Sequence, residues 1–396
     1  MCATNLAPGA ESFIDPTASI SEARNVTLGR QVYVGPFAVL DADEAPIVIG
    51  AESNVQDNVT IIGAVERRGE DRRGDENRKG PRNGSGGMRG VVIGERVILA
   101  HGATVKGPAC IGCGGTSIAA DPDDDPEVFL SFGTEVDGAV LEKNTGVSAL
   151  GRVGPGVTLR SGMMVLPGKN VTTQVEADDP ALGKVRLVTE ADVAFNEGVI
   201  EVNLAFAREY TNLARTSPNS VRGASVDPGN TDFNEHSDQP SFAGIEMSAP
   251  RFPNRIIGDV NLADSAEQAA SVMGRRISLR ADEGEAFQVG TIAKMGSGVI
   301  FHALEHTDLT VGNGVTYGKG AIVHGGSRVV DGATVETTLG DNVVLGAQSV
   351  VFRSTVGNGV TIGRRSAVVA SDLAAGTVVP DGEIWVGGVR FGFVEW

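Results

Sequence analysis

Five histidines punctuate this chain, at 101, 236, 302, 306 and 324. Imidazole is the commonest metal ligand and titrates nearest neutral pH. In a chain of 396 residues with so few, each position is informative. His101 sits in LAHGATVKGPACIG, His302 in VIFHALE and His324 in KGAIVHGGSRV. Acids stand close by in Arg280-Ala281-Asp282-Glu283-Gly284 and at Glu305. Such groups could ligate a metal or move a proton, although a lone acid is usually a solvated corner residue. Cys110 and Cys113 form one Cys-x-x-Cys with no second pair, which is a weak zinc signal. Ile111 between them falls on a core repeat, so both are read as packing residues.

Elements with a six-residue period must position these groups. Large aliphatics recur as Leu28, Val34, Leu40, as Ile49, Val55, Ile61, and as Ile93, Leu99, Val105, Ile111. The pattern returns as Val311, Tyr317, Val323, Val329, then Leu339, Leu345, Val351, then Val356, Ile362, Val368. A period of six fits neither a helix nor a long strand. It fits short strands separated by corners, with one aliphatic pointing inward per strand and three strands per coil of a prism. Gly follows the aliphatic at 29, 35, 50, 94 and 112, where corners call for positive φ.

The period breaks in four places. Residues 64–90 are charged and Gly-rich and read as a long exposed loop, and 121–127 as an acidic loop. Over 189–215 a helical period replaces it, with Val193, Val199, Val202, Phe206 and Leu213 near one face. Residues 216–250 are rich in Ser, Pro, Asn and Asp and read as a linker. The expected domains are 1–215 and 251–396, both all-β, the first closed by an α-helix. The terminal aromatics of the second are expected as a strand-like cap.

The formal charge of −17 argues against nucleic acid or anionic lipid as a partner. Only seven of the 33 basic residues are Lys. That suits either a salty cytoplasm or simply a GC-rich genome. The first residues lack a basic start and an apolar core, and no apolar run approaches membrane length. A cytoplasmic protein is expected.

These motifs resemble gamma-class carbonic anhydrases, a family with left-handed hexapeptide-repeat β-helices. The family carries an Arg-x-Asp-Glu-Gly corner, an Asn-Val-Gln-Asp segment followed by a His, and a later His-x-x-x-x-His before Gly-Pro. Three His bind the metal, two from one subunit and the middle one from its neighbour. The first half of this chain has Asn54-Val55-Gln56-Asp57 and His101, but Ile62 and Lys106 at the outer ligand positions. The second half has Arg280, Asp282, Glu283 and Gly284 with His302 and His324, but Lys319 at the middle position. The losses are complementary. One interface between the halves rebuilds a three-His site from His101, His302 and His324. The opposite interface would set Lys106 and Lys319 beside Ile62.

The resemblance implies roles for other residues. Glu283 would stand near the metal-bound water, and Glu305 would shuttle protons. Gln56 would hydrogen-bond the water, and Asn203 would approach from the helix. Arg280 and Asp282 would form a structural interface pair. The implied chemistry is reversible hydration of CO₂ to bicarbonate by a metal-bound hydroxide. The metal would be Zn²⁺, with Fe²⁺ or Co²⁺ as alternatives, in a homo-oligomer with trimer-like packing of the prisms. An inert assembly protein is the second reading, and a hexapeptide acyltransferase the third. His236 and His306 match nothing and read as surface residues.

Overall fold

The computed structural model describes residues 10–65, 89–115, 127–228 and 254–396. Most of the loops expected at 64–90 and 121–127, the linker from 229 onward and His236 lie outside the described residues. Two left-handed parallel β-helices make up the fold, and about 14% of it is helical. In the first half, strands build an eight-, a seven- and a six-stranded face, parallel except where Val185–Leu187 closes the eight-stranded one antiparallel, with strands from successive coils adjacent. In the second, the three faces have nine, six and five strands. Two to five residues per strand suffice because most strands of the prisms contribute a buried aliphatic. Leu28, Val34 and Leu40 are buried, and so are Val311, Tyr317 and Val323.

Val329 departs from the expected core. It is 75% exposed. After His324 the chain leaves the prism as an antiparallel hairpin, Arg328–Val330 with Ala333–Val335, and rejoins the repeat at Leu339. The six-residue spacing to Val329 is coincidental there. Of the repeat glycines, Gly112 takes the expected positive φ, but the others serve a different purpose. Gly29 and Gly94 do not need positive φ; a Cβ on Gly29 would lie 2.5 Å from Ala51 N, and one on Gly94 2.8 Å from Gly112 O. They let successive coils stack, while corner residues such as Gln31, Glu52 and Asn58 take the positive φ.

Among the described residues three α-helices interrupt the prisms: α1 (Gln174–Asp178), α2 (Glu190–Thr216) and α3 (Ala266–Val272). Helix α2 starts at a capping box in which the Thr189 hydroxyl accepts from Asp192 N and the Asp192 carboxylate accepts from Thr189 N. Its buried stripe is Asn196, Ile200, Asn203, Ala207 and Tyr210, with Phe206 beside it. Val193, expected on the buried face, is exposed. The stripe carries polar groups because α2 faces charged partners as well as apolar ones. Phe206 and Tyr210 pack with Phe13 and Tyr33 of the first half and Ile257 of the second, so α2 wedges between the halves.

The segment after α2 does not all behave as a linker. Ser225–Val226 pairs in parallel with Ile256–Ile257 and extends the second prism. A second apolar cluster joins Ala100, Phe132 and Leu150 of the first half to Ile300, Ile322, Val350, Ala367 and Ile384 of the second. Glu383–Val386 and Val389–Phe393 form a terminal antiparallel hairpin. Beyond it, Trp396 donates Nε1–H to Leu150 O of the first half. Cys110 and Cys113 are bonded to each other as a disulfide, where packing thiols were expected.

Candidate metal centre

The junction of the two prisms brings His101, His302 and His324 together. All three are buried, and one ring nitrogen from each lies within 4.8 Å of the others. His302 and His324 are register partners on adjacent strands, Ile300–Ala303 and Ile322–Gly325, so both leave the same face. His101 comes from the corner after strand Val97–Leu99 of the first half. His101 Nε2 lies 3.2 Å from His302 Nδ1, which lies 3.3 Å from His324 Nε2.

The far side of each ring faces an acceptor. His324 donates Nδ1–H to Gly325 O at 2.7 Å. His101 Nδ1 stands 3.0 Å from Asp57 Oδ2, close but not aligned as a hydrogen bond. His302 Nε2 stands 3.4 Å from Glu283 Oε2 and 3.7 Å from Asp282 Oδ1. These acceptors draw the ring protons outward, so three lone pairs converge. Burial, with Arg280 adding to it, pushes His302 down to about 4. Burial pushes His324 well below the ordinary imidazole range. Neutral rings with converging lone pairs repel unless a cation lies between them. Zinc–nitrogen bonds of about 2.0–2.1 Å on a tetrahedron put nitrogens about 3.3 Å apart. The donor set therefore fits a divalent metal with its fourth position open.

A charged network across the junction supports the ligands. Arg280 donates Nη1–H to Asp57 Oδ2 at 2.8 Å, and Ser278 Oγ donates to Asp57 Oδ1. Arg280 also donates Nε–H and Nη2–H to Asp282 at 3.1 Å. Tyr210 OH of α2 donates to Asp282 Oδ2. Burial opposes the charge of Asp57, but Arg280 and then His101 hold its carboxyl well below the usual carboxylate range. Arg280 and Asp282 bond to each other within the second half, and Asp57 is the partner that carries the contact to the other half. Asp57 and Tyr210 escaped as functional residues, because nothing in local spacing links them to Arg280 and Asp282.

Glu283 is buried, and its Oε1 accepts from Glu305 N at 3.1 Å. Burial and then Asp282 push its carboxyl up to about 8. The Glu305 side chain is 40% exposed, with His306 Nε2 at 3.8 Å. Gln56 is buried one residue before Asp57. Asn203 is buried and spends Nδ2 on Val199 O of its own helix, leaving Oδ1 without a partner among the described residues. Phe132 closes one side of the centre, with ring centroids 5.9 Å from His101 and 4.9 Å from His324.

Lys106 and Ile62 are register neighbours on the seven-stranded face, and Lys106 pairs with Glu135 at 3.0 Å. Lys319 is exposed in a turn of the second half.

No family model matches the chain. Carbonic anhydrase from Methanosarcina thermophila is 34% identical over 203 residues, covering 50% of this chain and 72% of that protein. Gamma carbonic anhydrase 1, mitochondrial, from Arabidopsis thaliana is 25% identical over 206 residues, covering 52% of this chain and 56% of that protein. A hexapeptide transferase family protein from Anaplasma phagocytophilum aligns in structure at 16% identity and a TM-score of 0.25, covering 51% of this chain and 92% of that one. None of the described helices is long and apolar enough to cross a membrane. By its sequence identity to the archaeal enzyme, the chain belongs to the gamma-class carbonic anhydrase family.

Proposed function

We propose that this chain catalyses the reversible hydration of CO₂ to bicarbonate at a centre shared between its two halves. The observation that carries this reading is the convergence of three buried imidazole nitrogens from His101, His302 and His324. A divalent cation held there would lower the pKa of a water in its open position to about 7.

The chain's own residues supply the rest. Asp57 and the Gly325 carbonyl orient two of the rings, and Glu283 with Asp282 orients the third. Phe132 and its apolar neighbours keep solvent from one side. Glu283, its carboxyl pushed up to about 8, holds its own proton at neutral pH, and a cation at the three-His junction would favour the carboxylate form that can accept one. The backbone N–H of Glu305 fixes that carboxylate, and the exposed Glu305 side chain passes the proton to solvent. Gln56 and the free Oδ1 of Asn203 are the polar groups assigned to the substrate side.

Metal content and CO₂ hydration rate test the reading together, on wild type and on His101→Ala and His302→Ala. The expected result is about one metal per chain in wild type, lost together with activity in both variants. Folded wild-type protein that takes up no metal and hydrates no CO₂ would overturn it.

A further inference from the structure

The strand that carries His302 ends in a tight turn, Leu304 to Thr307. Thr307 closes it, donating its N–H to Leu304 O at 3.1 Å and its hydroxyl to the same oxygen at 2.7 Å. Glu305 and His306 stand at the tip. The turn is seated on the corner that ends in Glu283 and Gly284. Glu305 N donates to Glu283 Oε1, and Glu285 N donates to Thr307 O. A Cβ on Gly284 would lie 2.8 Å from Thr307 O, so the two segments are in direct contact.

The tip therefore has one end against the metal centre and the other in water. Glu283 Oε2 is 3.4 Å from His302 Nε2, while the side chains of Glu305 and His306 are 40% and 59% exposed. Glu305 Oε1 lies 3.8 Å from His306 Nε2 and is the only ion-pair partner of that ring among the described residues. His101, His302 and His324 are buried, so His306 is the one described imidazole that solvent reaches.

Hydration of CO₂ releases one proton per turnover, from a water that titrates near 7 when a cation holds it. An ordinary carboxylate holds a proton roughly two to three decades less tightly than such a water, and an ordinary imidazole less than about one. A relay that ends on a carboxylate passes through a sparsely populated state. An imidazole next to it makes the climb shallower and titrates where bases in solution do.

We propose that His306 is the outer station of the proton path, taking the proton from Glu305 and delivering it to bases in solution. The proposal rests on the CO₂-hydration reading above and extends it. His306 Nε2 accepts the proton from the Glu305 carboxyl, which returns to carboxylate. The ring then carries one positive charge until a base in solution removes a proton from either nitrogen. Dehydration of bicarbonate runs the same transfers backwards.

The competing role is that of a plain turn residue, since His306 takes a φ of 56°. Asn tolerates that region, so His306→Asn keeps the turn and removes the imidazole. Zn²⁺-loaded full-length protein in dilute buffer separates the two roles. For CO₂ hydration, kcat/KM covers the steps up to departure of bicarbonate, and proton removal enters kcat alone. His306→Asn is expected to lower kcat about tenfold, with kcat/KM within about twofold of wild type. Added imidazole restores kcat, and zinc content and Tm stay at the wild-type level. In a Glu305→Gln background the same substitution costs less than about twofold, because the two groups act in series. Unchanged kcat in dilute buffer overturns the proposal and leaves the functional reading standing. So does a joint fall of kcat and kcat/KM that imidazole does not restore, which marks a role in shaping the turn. A full second loss in the Glu305→Gln background also overturns it. Wild type that loads zinc and hydrates no CO₂ overturns the functional reading and this proposal with it.

Discussion

Asp57 Oδ2 lies 3.0 Å from His101 Nδ1, on the ring edge opposite the nitrogen that faces His302. A carboxylate there selects the tautomer with Nδ1 protonated and leaves Nε2 free to ligate. Replacing it with an amide keeps the shape and removes the charge. Asp57→Asn is expected to weaken metal binding about 10- to 100-fold in a chelator competition. Wild-type affinity in that variant would show that the charge of Asp57 is not needed to hold the ring.

Tyr210 ties α2 to the same network through Asp282. Tyr210→Phe removes one hydrogen bond to a buried carboxylate that keeps Arg280 as partner. Urea denaturation is expected to show a loss of about 1.5–3 kcal/mol. A loss near zero would mean that α2 is held by its apolar contacts alone.

The first turn of α2 makes acid sensitivity testable away from the metal ligands. Burial works against the charge of Asp192, but Arg186 and Thr189 hold its carboxyl down to about 2. A carboxylate lower in the folded than in the unfolded state contributes stability that is complete above the unfolded value of about 4. That contribution is lost as pH falls toward 2. Asp192→Asn is expected to lower Tm at pH 7 and to flatten the melting profile across that acid window. An unaltered acid limb would assign the sensitivity to other carboxylates.

Coil stacking gives a prediction about the fold itself. A Cβ at Gly29 would lie 2.5 Å from the backbone of Ala51, which cannot rotate away. Gly29→Ala is expected to lower the stability of the chain by about 1–3 kcal/mol in a denaturant titration. A neutral result would show that the coils can part at that corner.

Much of this architecture could be read before any coordinates, because one aliphatic per six residues is written directly into the chain. The three candidate His ligands were identifiable by resemblance, since their motifs are local. Misreadings arose where a residue's environment comes from far away. Val329 keeps the spacing of the repeat but sits on a hairpin that has left the prism. The buried face of α2 includes Asn196, Asn203 and Tyr210, which a search for apolar periodicity passes over. Arg280 and Asp57 are 223 positions apart, and only the docking of the prisms makes them neighbours.

All three imidazoles belong to one polypeptide, with 201 positions between His101 and His302. Their encounter is therefore a unimolecular event, with an effective concentration set by the covalent path between the prisms. Dilution therefore does not part His101 from His302 and His324 within one chain.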